Sequence, residues 1–142
     1  MGQQANKRHG VVAMTESYKA HILLVEDDIC MTEMICEIIG DEYVVTTASN
    51  GKEALMVMKG IVPDLVITDV NMPEMNGLLL LKRMRQNLRL VHVPVIVNSS
   101  NGDIYIHKLS TAVQTWIMAE KSKEEELKSL IHSALRNRIS WK

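Results

Sequence analysis

Phenylalanine is missing from this 142-residue sequence, and aromatic residues amount to only 4%. Ten methionines supply bulk instead, which makes for an adaptable core, because an unbranched thioether fills irregular gaps. Cysteine is scarce too. Cys30 and Cys36 lie six apart, on different faces of a helix, and form neither a disulfide framework nor a Cys-x-x-Cys metal or redox motif. Free thiols in a reducing cytosol are the expectation. No apolar run approaches the ~20 residues that span a bilayer. Residues 1–20 hold basic side chains but only the short apolar run Val11-Val12-Ala13-Met14, too little for a signal peptide, so a cytoplasmic location is expected. An excess of one charge is absent as well: sixteen basic against seventeen acidic residues leave −1, which argues against direct binding of nucleic acid or an anionic membrane. The five histidines, His9, His21, His92, His107 and His132, show no metal-ligand spacing.

What is present fits one compact domain, with 46% hydrophobic and 23% charged residues. Residues 1–20 are polar and aperiodic and read as a flexible tail, with the domain over 21–142. It starts at His21-Ile-Leu-Leu-Val25, an apolar run suited to a strand buried on both faces and stopped by Glu26-Asp27-Asp28. Met31, Met34, Ile35, Ile38 and Ile39 then recur at helical spacing up to Gly40. Further strands are predicted over 43–47, 65–68 ending at Asp69, 94–97 ending at Asn98-Ser99-Ser100, and 115–118. Helices are predicted over 51–59 (capped by Asn50 with Glu53 at its third position), 78–84, weakly over 102–113, and along the stripe Leu127, Leu130, Ile131, Ala134, Leu135 and Ile139. The last has Glu124–Glu126 in its first turn and Arg136 and Arg138 at its end, as the helix dipole favours. Five strands alternating with five helices imply an α/β, doubly wound, five-stranded parallel sheet, because parallel crossovers need helix-length connections.

In such a sheet, ligands bind beyond the carboxyl ends of the strands. Those ends carry Glu26, Asp27 and Asp28 after the first strand, Asp69 after the third and Ser99 after the fourth. Converging carboxylates repel one another unless a cation lies between them. Hard oxygen ligands of this kind suit Mg²⁺, which favours one or two carboxylates together with a phosphate.

The stretches HILLVEDD (21–28) and LVITDVNMPEMNG (65–77), with Asp27 placed 42 residues before Asp69, resemble the receiver domain of response regulators, over residues 21 to about 138. The resemblance implies a flavodoxin-like (CheY-like) fold with strand order 2-1-3-4-5, acting alone in two-component signalling. It implies that Asp69 is the phospho-acceptor, loaded from the phosphohistidine of a sensor histidine kinase or phosphotransfer protein. Asp27 then binds Mg²⁺ directly, Glu26 through a water and Asn71 through its backbone carbonyl. Ser99 becomes the switch hydroxyl, and Asn71 and Asn101 tune the slow self-dephosphorylation. Pro73 and Gly77 shape the loop after the acceptor.

The second half departs from the family pattern. A receiver has a lysine ending the fifth strand, usually followed by proline, but here the run is Trp116-Ile-Met-Ala-Glu-Lys-Ser122. Aligning Trp116 with the switch aromatic puts Ala119 at the lysine position. Counting from Ser99 puts Lys121 there and Met118 at the aromatic position, a register favoured by the need for a cation beside the phosphoryl group. The usual Gly-Ala turn before that strand is also replaced, by Ala112-Val-Gln-Thr115, which alters the face where phosphorylation is normally read out and points to an unusual partner or a weakened switch. The alternative function is a pseudo-receiver, a phosphorylation-independent interaction module. A Mg²⁺ phosphohydrolase is disfavoured because Asn71 stands where its second aspartate would be. Asp69, taken as a surface carboxylate at a strand end, is expected to tolerate Asp69→Asn without loss of fold.

Overall fold

The computed structural model describes residues 19–98, 115–118 and 124–136, the strand 115–118 by its backbone alone. The predicted helix over 102–113, Ser99, Asn101, Lys121, Trp141 and nearly all of the tail lie outside the described residues.

Five strands form one parallel sheet: β1 (His21–Val25), β2 (Val44–Ala48), β3 (Leu65–Asp69), β4 (Val95–Asn98) and β5 (Thr115–Met118). Their spatial order is β2-β1-β3-β4-β5, as the resemblance implied. The described helices are α1 (Ile29–Ile39), α2 (Gly51–Gly60), α3 (Gly77–Arg85) and α4 (Glu124–Arg136). None is long and apolar enough to cross a membrane.

Alternation along the central strands sorts the core into two layers. Leu23, Val25, Val66, Val95 and Val97 pack with Ala54 and Met58 of α2 and with Leu80 and Met84 of α3. Ile22, Leu24, Leu65, Ile67 and Ile96 pack with Ile35 and Ile39 of α1 and with Leu127 and Ile131 of α4. Apart from Leu23, the small valines thus face one pair of helices and the larger isoleucines and leucines the other. Each fully buried side chain of this size stabilises the fold by roughly 1.5–3 kcal/mol.

Polar side chains set where elements begin. Asp28 caps α1, its carboxylate accepting from Met31 N at 3.1 Å. Asn50 caps α2, accepting from Glu53 N at 2.9 Å, while Glu53 reaches back to Ser49 N at 2.9 Å. Asn76 caps α3, accepting from Leu79 N at 2.9 Å. Gly77 is therefore the first residue of a helix and not part of the preceding turn. Strand β2 starts one residue later than the sequence pattern suggests, because Tyr43 N bonds Ile39 O at 3.2 Å and closes the turn after α1. At the far edge of the sheet, His21 N donates to Asp64 at 2.7 Å and Arg85 donates to the carbonyls of Val91 and Val93, tying α3 to the approach to β4. Burial of that guanidinium lowers its pKa.

Candidate functional site

At the carboxyl edge, adjacent strands β1 and β3 end in acids, so three carboxylates meet. One oxygen from each of Glu26, Asp27 and Asp69 lies within 4.8 Å of the others. Glu26 and Asp69 are buried, at 5% and 7% exposure, whereas Asp27 is open to solvent. Asp69 was expected at the surface. It is enclosed instead, because Val70 and the start of α3 fold over the end of β3: Val70 is buried, and Gly77 N donates to Val70 O at 3.0 Å.

Local bonds hold Asp69 still. Val70 N donates to Asp69 Oδ1 at 2.7 Å, and the Thr68 hydroxyl donates to the Asp69 carbonyl at 2.9 Å. Glu26 is fixed by its own backbone, whose N–H donates to Ala48 O at 2.9 Å, and its carboxylate accepts from Asp28 N at 3.2 Å. Asp28 itself is committed to capping α1. The three acids after β1 thus divide their work, two facing the cluster and one starting a helix. A cleft of about 200 Å³ opens beside the cluster, lined by Glu26, Asp27, Ile29, Thr32 and Glu53.

The loop 70–76 passes over the site under two constraints. Glu74 takes a left-handed conformation, with φ 65°. Gly51 N, at the start of α2, donates to Met75 O at 2.9 Å, and a side chain at 51 would collide with Met75. The loop is therefore pinned to α2. Asn71, two residues beyond Asp69, is exposed within it.

A hard divalent cation fits this donor set. All the donors are oxygens, two of the carboxylates are already withdrawn from bulk water, and their mutual repulsion falls once a cation lies between them. Glu26, Asp27 and Asp69 are the residues that would hold it.

Of the other predicted residues, Trp116 and Met118 lie in β5, opposite Ile96 and Asn98 of β4. Lys121 is three residues past the end of that strand, and Ser99 directly follows β4. Three participants escaped the sequence reading: the Thr68 hydroxyl, Glu53 at the cleft, and the buried Asn98. Asn98 left a legible trace, a polar residue directly after Pro94-Val-Ile-Val97 that keeps pace with Asp69 along the sheet.

Comparison with known proteins covers nearly the same span. The family model "Response regulator receiver domain" matches residues 22–132. Among curated proteins, the sensor histidine kinase TmoS of Ectopseudomonas mendocina is 32% identical over 129 residues, which are 89% of this chain and 13% of the kinase. The chain spans between 9% and 13% of the length of the three histidine kinases it matches. Among solved structures, the signal receiver domain of a histidine kinase from Syntrophus aciditrophicus is 27% identical with a TM-score of 0.75, over 87% of this chain and 97% of that one. The response regulator TrrA of Thermotoga maritima, solved in complex with Mg²⁺ and BeF, is 29% identical with a TM-score of 0.71, over 82% and 99%.

Proposed function

The chain belongs to the response-regulator receiver domain family, and on that premise we propose that it is a phospho-acceptor switch loaded on Asp69 in the presence of Mg²⁺. The observation that carries this reading is the convergence of Glu26, Asp27 and Asp69 at one strand edge, with Asp69 buried and held by the Val70 amide.

In the proposed reaction, a carboxylate oxygen of Asp69 attacks the phosphorus of a phosphohistidine. The new P–O bond makes an acyl phosphate, the P–N bond breaks, and the departing imidazole keeps its electron pair and takes up a proton. Mg²⁺ supplies charge neutralisation at the phosphoryl oxygens. Asp27 would bind it directly, Glu26 through a water and Asn71 through its backbone carbonyl. Ser99 hydrogen-bonds the phosphoryl group, and Lys121 provides its cation. Trp116 or Met118 occupies the position whose side chain reports the switch. Water later cleaves the acyl phosphate, at a rate set by Asn71 and Asn101. The donor is a sensor histidine kinase or a phosphotransfer protein of the cytoplasm, and the signal leaves through contact with another protein.

Acetyl phosphate or phosphoramidate with Mg²⁺ tests this directly. Intact mass should rise by one phosphoryl group, the adduct should be labile, and it should map to Asp69. An Asp69→Asn variant should gain nothing. Failure of the wild type to be modified, under conditions that modify another receiver domain, overturns the reading.

A further inference from the structure

Asn98 closes β4 and is almost fully enclosed, with 2% exposure, yet no hydrogen-bond donor among the described residues reaches its Oδ1. A buried polar atom left without a partner costs about 1–3 kcal/mol, and folded proteins keep few of them. The neighbourhood supplies a reason. Asn98 is the register partner of Asp69.

Register partners on parallel strands project to the same side of a sheet. Two residues earlier, Ile67 and Ile96 are paired in the same way and share one core layer. Neighbouring strands lie about 4.8 Å apart, so Asn98 stands beside Asp69 with its side chain on the same face of the sheet. It does so on the flank away from β1, which carries Glu26 and Asp27. Asp69 thus has acids on one side and a buried amide on the other.

We propose that Asn98 is a phosphoryl-binding residue, whose carboxamide turns about χ2 to donate its NH₂ to the phosphoryl group on Asp69. The inference rests on Asp69 being the acceptor. Loading adds oxygens that are strong acceptors of hydrogen bonds and carry negative charge. A half-turn of an amide exchanges its donor and acceptor ends with almost no change in shape. The unpaired arrangement then belongs to the unloaded domain and the paired one to the loaded domain, so Asn98 lengthens the life of the adduct.

The test uses the whole chain with acetyl phosphate and Mg²⁺, comparing wild type, Asn98→Leu and Asn98→Asp. Asn98→Leu should melt no lower than wild type while its adduct decays at least five-fold faster. Asn98→Asp should load more slowly than wild type, since a second carboxylate repels the incoming phosphoryl group. In the wild type, the side-chain NH₂ resonances of Asn98 should shift when Mg²⁺ and beryllofluoride are added, a readout independent of whether any variant folds. Wild-type decay rates in Asn98→Leu, with NH₂ resonances that stay put, would overturn the role of Asn98 and leave Asp69 as acceptor. A wild type that never forms the adduct would overturn the acceptor assignment and this inference with it.

Discussion

The backbone carbonyl of Asp69 occupies the space that a side chain on Gly77 would need. The β3 end and the α3 start are in contact there, with the Thr68 hydroxyl also close to that point. Gly77→Ala must push the two apart. Overpacking of this kind costs roughly 1–3 kcal/mol, and here it displaces Asp69, the proposed acceptor. Urea denaturation should show a loss in that range, and acetyl phosphate loading should slow by more than the unfolded fraction accounts for. Equal stability with normal loading would show that the loop absorbs the methyl group.

Glu74 holds a left-handed backbone, a conformation that costs a residue with a side chain about 1–2 kcal/mol. Its side chain is exposed. Glu74→Gly should therefore stabilise the domain by about 0.5–1 kcal/mol, the strain relieved less the added freedom of the unfolded chain. Thermal melting of the two proteins decides it. A lower melting temperature in the glycine variant would mean that the Glu74 side chain makes up for its own strain.

Asp27 and Asp28 are neighbours with separable roles. Asp28→Ala removes the cap of α1 and should cost about 1 kcal/mol, while the rise in melting temperature on adding Mg²⁺ persists. Asp27→Asn should do the reverse. It relieves repulsion within the carboxylate cluster, so the metal-free protein loses little, but stabilisation by Mg²⁺ through mass action should disappear. A Mg²⁺-dependent melt in Asp27→Asn would remove Asp27 from the ligand set.

The two cysteines should differ in reactivity. Cys30 is exposed, whereas burial raises the pKa of Cys36 and so reduces its thiolate fraction at a given pH. Iodoacetamide at pH 8 should label Cys30 first, with Cys36 lagging, and the lag should shrink in denaturant. Peptide mapping at timed intervals reads this.

Strands buried on both faces announce themselves in sequence, which is why β1 and β3 were legible to the residue. The Asn50 cap was legible too, but the Asn76 cap was harder. Asn76-Gly77 looks like a turn, and the bonds from Leu79 N and Leu80 N to Asn76 make it a helix start. Tyr43 looks like strand because its side chain is large and apolar, but its amide is already used by Ile39. The motif around Asp69 identified the family, whereas the burial of Asp69 depends on how α3 returns across the strand end, which is a matter of tertiary packing. Asn98 escaped notice for the same reason. A lone asparagine after an apolar run reads as a strand stop until the β3–β4 register sets it beside Asp69.

The placement of α1 and α3 on opposite layers has an electrical consequence. Between residues 22 and 51 the chain carries Glu26, Asp27, Asp28, Glu33, Glu37, Asp41 and Glu42 with no lysine or arginine. Between 75 and 102 it carries Lys82, Arg83, Arg85 and Arg89 with no carboxylate. The first stretch contains α1 and the second α3, and the sheet lies between them. These two stretches therefore set charge of opposite sign on opposite sides of the sheet. The α1 side, next to Asp27, thus attracts cationic groups, a pull that fades as salt shortens its reach to about 10 Å at 0.1 M.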